Sequence, residues 1–156
     1  MKLYIDFDGV IVNTMEIIDQ ELKENNLNRT DEYYMNINWL TLLKKCKIIN
    51  SAFNQIEILK SKFDVAILTH IYTLEEGVAK LNFIRKYDKN LNVILVPKNI
   101  SKSKIVDAKN AILIDDYNEN IKDWITNGGI GIKFNNKNYL TINSLNDICN
   151  YVKLWE

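Results

Sequence analysis

Apolar residues in this chain gather into short runs of strand length, separated by polar stretches with helix-like spacing. Five runs stand out: Lys2–Phe7, Asp64–Leu68, Asn92–Val96, Ala111–Ile114 and Gly129–Phe134. They are rich in β-branched residues and lack strict alternation, as expected of strands covered on both faces of a parallel sheet. Between them, Thr73–Tyr87, Ser101–Ala108 and Tyr117–Asn127 place apolar residues at helical intervals. Ser101 predicts a helix start and Asn127-Gly128-Gly129 a helix stop, and Leu145–Trp155 reads as a closing helix. Alternating strands and helices imply right-handed crossovers and an α/β class, here a Rossmann-like, doubly wound, five-stranded parallel sheet.

One interval breaks this rhythm. The stretch from Met15 to Phe63 separates the first two strands and is helix-like throughout, with apolar spacings over 15–26 and 40–61 and a break at Asn28–Asp31. It is too long for a simple crossover. The expectation is a small helical cap (residues 15–63) inserted after the first strand of a core made from residues 1–14 and 64–156. An insertion there is placed to cover a site and exclude water. Its Tyr33, Tyr34, Trp39 and Phe53 either line a pocket or pack the insertion's own core.

Bulk properties narrow the function classes. At 156 residues the chain is one domain by size, able to bury about 70% of its unfolded surface. Twenty acidic and twenty basic residues cancel, so no global field favours a nucleic-acid polymer. No basic segment leads into an apolar stretch with a cleavage site, and no apolar run approaches the roughly 18 residues of a membrane span. Cys46 and Cys149 lie far apart without metal-like spacing and read as two buried thiols in a reducing compartment. These features predict a soluble cytoplasmic protein without a membrane partner. The oligomeric state stays open, a homodimer docked through the insertion included.

Candidate chemistry sits where the apolar runs end. Leu-Tyr-Ile-Asp-Phe-Asp-Gly runs an apolar strand directly into Asp6, Asp8 and Gly9. Burying even one unpaired charge costs several kcal/mol, so two carboxylates at the end of a buried strand call for a cation or a reaction. Side chains at i and i+2 share a strand face, so both carboxylates can converge on one point, and Gly9 permits a sharp turn and close approach to a ligand. In open parallel sheets ligands bind beyond the carboxyl ends of the strands. Three further groups fall at such positions: Thr69 with His70, a lysine in Ser101-Lys102-Ser103-Lys104, and Asp115-Asp116. Asp6 and Asp115 on adjacent strands offer hard oxygen ligands suited to Mg²⁺. Asp6 can then act as a nucleophile towards phosphorus and Asp8 as the acid and base, while Thr69 and a lysine hold phosphoryl oxygens. Taken singly, each element also has an ordinary structural reading, as a turn, a strand residue, a solvated helix start or a helix entry.

The ordered set, Asp6-Phe-Asp-Gly-Val, Leu68-Thr69, the lysine and Ile114-Asp115-Asp116, resembles the haloacid dehalogenase superfamily of phosphohydrolases and spans residues 6–116. The acid at position 8 resembles the phosphatases and phosphomutases of that superfamily and not its dehalogenases. The insertion, the Leu-Ile-Asp-Asp-Tyr strand ending and the Gly128–Phe134 run are most similar to the 5′(3′)-deoxyribonucleotidase group. The resemblance implies a Mg²⁺-dependent phosphomonoesterase acting on a small phosphorylated metabolite, with a nucleoside monophosphate first in line. It implies a metal held by the Asp6 carboxylate, the Asp8 carbonyl and Asp115, with Asp116 contacting a metal-bound water or orienting the lysine. Lys102 is the chosen phosphate-binding lysine, Lys104 the alternative and Lys98 a distant third. His70, the chain's single histidine, sits at the rim as a substrate contact or a passive residue. A phosphomutase of the β-phosphoglucomutase kind and a non-catalytic module that binds a phosphorylated ligand remain alternatives.

Overall fold

The computed structural model describes residues 1–135 and 141–150. One parallel sheet is built from β1 (Lys2–Ile5), β2 (Asp64–Ile71), β3 (Asn92–Pro97), β4 (Ile112–Asp115), β5 (Ile130–Phe134) and β6 (Thr141–Ile142). Its order is β3-β2-β1-β4-β5-β6, with every pairing parallel. The α/β class and parallel sheet match expectation, with six strands in place of five. The sixth strand has only two residues, too few to leave a hydrophobic pattern.

Two cores explain why the central strands do not alternate. Leu3, Ile5, Val65, Ile67, Ile112 and Ile114 face one buried cluster, which takes Ile18, Leu22, Trp39 and Ile56 from the helices. Tyr4, Ala66, Leu68 and Leu113 face a second, in which Trp124 meets Tyr4 edge-on at 5.5 Å. Each fully buried Leu or Ile contributes about 1.5–3 kcal/mol, so both faces of β1 and β4 select apolar side chains. Gly129 serves the second core, because a Cβ there would lie 2.3 Å from the Trp124 indole nitrogen.

The helices are α1 (Thr14–Glu24), α2 (Asp31–Met35), α3 (Trp39–Lys45), α4 (Ala52–Leu59), α5 (Leu74–Tyr87) and α6 (Asn118–Thr126). The helix expected over 40–61 is divided in two. Asn50 and Ser51 adopt left-handed backbone, with φ of 49° and 53°, and the Ile49 N–H donates to the Ile11 carbonyl. That tether pulls the chain out of helical register. The helix expected over Ser101–Ala108 reduces to a 3₁₀ turn at Lys102–Lys104, and the Ser101 side chain caps nothing. The Lys102 side chain is drawn inward by two carboxylates, and the Asp107 carboxylate accepts the Lys109 N–H, which closes a turn. Leu145–Asn150 is 3₁₀, and residues 151–155 of the expected closing helix lie outside the described residues. Cys46 and Cys149 are free and half-buried, where full burial was expected. No helix among the described residues is long and apolar enough to cross a membrane.

Candidate active site

The strand order reverses direction between β1 and β4, and there the fold leaves a crevice beyond the carboxyl ends of the strands. Ile5 pairs with Ile114, and the Asp6 N–H donates to the Ile114 carbonyl at 2.9 Å. Asp6 and Asp115 therefore follow side by side, and both are buried. The Lys102 ammonium lies between them, 2.9 Å from Asp6 Oδ1 and 2.6 Å from Asp115 Oδ2. Asp115 is fixed further by the Tyr117 N–H on Oδ1 and the Asn120 amide on Oδ2, each at 2.9 Å. Burial lifts the Asp6 carboxyl well above the ordinary carboxylate range, and Asp115 adds to this while Lys102 works against it. Burial would lower the Lys102 ammonium, but Asp115 and Asp6 outweigh it and raise its proton affinity. Of the three lysines considered, Lys104 is exposed and Lys98 stands at the cleft rim, so Lys102 alone is brought to these acids.

Asp116 completes an acidic group. Its carboxylate and those of Asp6 and Asp115 each offer an oxygen within 4.8 Å of the others. Burial, then the charges of Asp115 and Asp8, push Asp116 up to about 7. The arrangement also explains Gly9, whose φ is 74° and where a Cβ would lie 2.0 Å from Asp116 Oδ2. The expected close approach of Gly9 is thus to a site carboxylate. Hard oxygen donors held near one another, two of them forced towards the protonated form, are the donor set that a divalent cation such as Mg²⁺ satisfies. The residues fit that ion.

Asp8 belongs to a different group. The β1 ladder ends at Ile5, and Asp8 stands in the turn beyond, where the N–H groups of Val10, Ile11 and Val12 bond to the Phe7 carbonyl. The expected sharing of one strand face by Asp6 and Asp8 gives way to this turn. Asp8 still lines the cleft, but its carboxylate accepts from Thr14 Oγ1 at 2.7 Å and from Lys80 Nζ at 2.6 Å. Lys80 comes from the middle of α5 and is fully buried. It also contacts Glu76 at 2.6 Å, the His70 carbonyl at 3.1 Å and Thr69 Oγ1 at 3.4 Å. Thr69 was expected to close its strand. Instead β2 continues to Ile71, and Thr69 is buried within it.

The cleft above these groups has a volume of about 440 Å³ and is walled by Tyr34, Trp39, Tyr72, Tyr117, Arg29 and Lys98, with His70 beside them. Tyr34 and Tyr72 stack at 4.9 Å with an interplanar angle of 7°. The Lys98 ammonium sits over Tyr72 and Tyr117, at 5.8 and 5.3 Å. Of the insertion aromatics considered, Tyr34 and Trp39 reach this cleft, Phe53 stacks on Tyr87, and Tyr33 lines another groove. His70 is half-buried, and burial lowers it to about 4, so its neutral Nε2–H donates to the Ile100 carbonyl at 2.8 Å.

Lys80, Glu76, Asn120 and Thr14 were not singled out by sequence reasoning. Glu76 and Lys80 are four apart on a helix, a spacing that ordinarily marks a solvated surface pair. The one contrary signal is that the spacing continues to the buried Ile84 and so lies on an apolar stripe. Lys133 was also passed over; it is buried on β5 and donates to the Asp116 carbonyl.

No protein-family model matches the chain, and no curated protein matches it in sequence. Solved structures do match in fold. A subfamily IA haloacid dehalogenase (HAD) superfamily hydrolase from Geobacter sulfurreducens aligns with a TM-score of 0.65 at 12% identity, over 97% of this chain and 96% of that one. A HAD phosphatase from Thermococcus onnurineus aligns at 0.63 and 12%, over 97% and 98%. The Bacillus subtilis HAD-type protein YfnB, in a crystal form bound to magnesium, aligns at 0.61 and 15%, over 98% and 97%. At these identities the likeness is one of fold, and the fold is that of HAD-like hydrolases.

Proposed function

We propose that this protein is a Mg²⁺-dependent phosphomonoesterase that works through an aspartyl-phosphate on Asp6. The observation that carries this reading is the contact of Lys102 with both Asp6 and Asp115 at the strand switch point, beneath a cleft that Asp8 also lines. Asp6, Asp115 and the Asp8 carbonyl would hold Mg²⁺, with Asp116 beside it, and the ion supplies charge neutralisation to the phosphoryl oxygens. The magnesium-bound B. subtilis relative in fold and the T. onnurineus phosphatase favour the same assignment.

The Asp6 carboxylate attacks phosphorus, and the bond from phosphorus to the ester oxygen breaks as Asp8 protonates that oxygen. Asp8, now a carboxylate, takes a proton from water as the water attacks phosphorus, which breaks the Asp6–phosphorus bond and frees phosphate. Lys102 and the Thr69 hydroxyl are assigned to the phosphoryl oxygens, and His70 to the cleft wall. The stacked Tyr34 and Tyr72 favour a substrate with a flat aromatic group, so a nucleoside monophosphate is the first candidate. The catalyst is expected to act as a soluble cytoplasmic enzyme.

Phosphate release from a panel tests this directly. The panel holds ribo- and deoxynucleoside 5′- and 3′-monophosphates, sugar phosphates and p-nitrophenyl phosphate, each with and without Mg²⁺. Mg²⁺-dependent release favouring nucleotides is the expected result. Release from sugar phosphates alone would keep the chemistry and overturn the nucleotide assignment. No release from any ester would overturn the phosphatase reading.

A further inference from the structure

We infer that Lys80 is a positioning residue for the proton transfer, holding the Asp8 carboxylate over the cleft through a fully buried ammonium anchored on Glu76. The inference rests on the phosphatase reading above and adds to it a residue outside the motif set.

Taking an ammonium out of water costs several kcal/mol unless good partners surround it, and Lys80 has no exposed surface. Glu76, one helical turn away, would be partner enough for an ordinary helix pair. Lys80 nevertheless reaches out of α5 to Asp8, 72 residues earlier in the chain, at the same 2.6 Å as to Glu76. Glu76 is itself tied down, accepting the Tyr72 N–H at 2.9 Å, while the Thr73 hydroxyl caps the helix at the Glu76 N–H. The Trp39 and Phe7 rings close over the ammonium, at 4.6 and 5.5 Å from their centroids. Asp8, Glu76 and the His70 carbonyl take up the three N–H donors of the ammonium, so whatever it does for the reaction it does through its partners.

Those partners are informative. Lys80 touches Asp8, Thr69 and the His70 carbonyl, three of the groups that surround the reacting centre. Asp8 needs this support because the β1 ladder has already ended at Ile5. Without Lys80, among the described residues only the Thr14 hydroxyl would fix the orientation of its carboxylate. A misplacement of about 1 Å in a reacting group can cost about 10²-fold in rate. The cost should fall on the step in which Asp8 delivers a proton, not on phosphate binding.

Leaving-group dependence isolates that step. p-Nitrophenolate departs with little need of a proton, whereas an alkoxide needs one. In a single turnover, Lys80→Met should slow leaving-group release about 10²-fold on an alkyl ester such as a nucleoside monophosphate, and less than about tenfold on p-nitrophenyl phosphate, with substrate affinity unchanged on both. Because Lys80→Met leaves the buried Glu76 charge unpaired, the double variant Lys80→Met, Glu76→Gln is measured beside it. Circular dichroism shows which of the two folds, and the folded one carries the test; failure of both to fold would assign Lys80 to the core and overturn the positioning role. Equal losses on both esters, or no loss on either, would overturn the positioning role while wild-type turnover keeps the phosphatase reading intact. Absence of wild-type turnover on both esters would overturn that reading and this inference together.

Discussion

Two buried lysines flank the cleft, and each bridges two carboxylates, but they arise from opposite kinds of local structure. Lys102 stands on a one-turn 3₁₀ segment beyond β3 and joins Asp6 to Asp115, two acids that the sheet itself brings side by side. Lys80 stands mid-helix and joins Asp8, in a turn the sheet does not support, to Glu76 on its own helix. The Lys102 group is acid-rich, with Asp116 adjacent and the carboxyls of Asp6 and Asp116 lifted by burial and then by the charge of Asp115. It is arranged to receive more positive charge. In the Lys80 group burial favours the neutral amine, yet Asp8 and Glu76 more than compensate and hold it charged. Its ammonium is arranged to stay as it is. The difference separates acids built to bind a cation and react from an ammonium built to hold Asp8 in place.

That contrast can be broken most sharply at Asp6. Asp6→Asn should reduce phosphate release to background while circular dichroism remains that of the wild type, since the side chain keeps its shape. Lys102→Ala should cost about 10²–10³-fold in kcat/KM, the scale of losing a charged stabiliser of transferring oxygens, whereas the exposed Lys104→Ala should stay within about twofold of wild type. Comparable losses in both lysine variants would erase the distinction between the two positions. Asp8→Asn should cost about 10²-fold on an alkyl phosphate, the usual scale of acid–base assistance; a loss below tenfold would remove Asp8 from that role.

The acid-rich character also predicts how metal and pH act together. Asp116 is raised to about 7 from an ordinary value near 3.9, so the folded state holds the extra proton between those limits. Its contribution to stability is complete below the ordinary value and is lost as pH rises towards about 7. A cation bound to the ionised acids offsets that loss. Mg²⁺ should therefore raise Tm more at about pH 8 than at about pH 5, and an equal rise at both would argue against binding at this cluster. The smallest effect is expected at His70, which is lowered to about 4. Stability from its neutral ring is complete above the ordinary value of 6.5 and is lost as pH falls towards about 4. In His70→Gln the fall in Tm between about pH 7 and about pH 5 should shrink measurably, by up to about 4 °C. An unchanged slope would detach the histidine from acid stability.

Strand ends, and the residues on them, were legible because a parallel sheet converts sequence order directly into place. An apolar run followed by Asp6 or Asp115 puts that acid at a carboxyl end whatever surrounds it. The helix over Ser101–Ala108 was read from periodicity that tertiary forces override, since the inward pull on Lys102 allows one turn and no more. The two-residue β6 and the left-handed step at Asn50 and Ser51 leave no periodic trace. Lys80 was invisible for a deeper reason. Its pairing with Glu76 has the spacing of a surface pair, and what makes it a buried bridge is Asp8, far away in the chain. Pairings of this kind are fixed by packing and are absent from any local pattern.

The proposed mechanism requires a covalent bond from Asp6 to phosphorus. The direct measurement uses the Asp8→Asn enzyme with Mg²⁺ and radiolabelled p-nitrophenyl phosphate, whose leaving group departs without the acid while hydrolysis of the intermediate stalls. Label recovered on the acid-quenched protein, released by hydroxylamine and absent when Asp6→Asn is added, is the predicted result. Unlabelled protein from an enzyme that still releases p-nitrophenol, or label that survives Asp6→Asn, would contradict it.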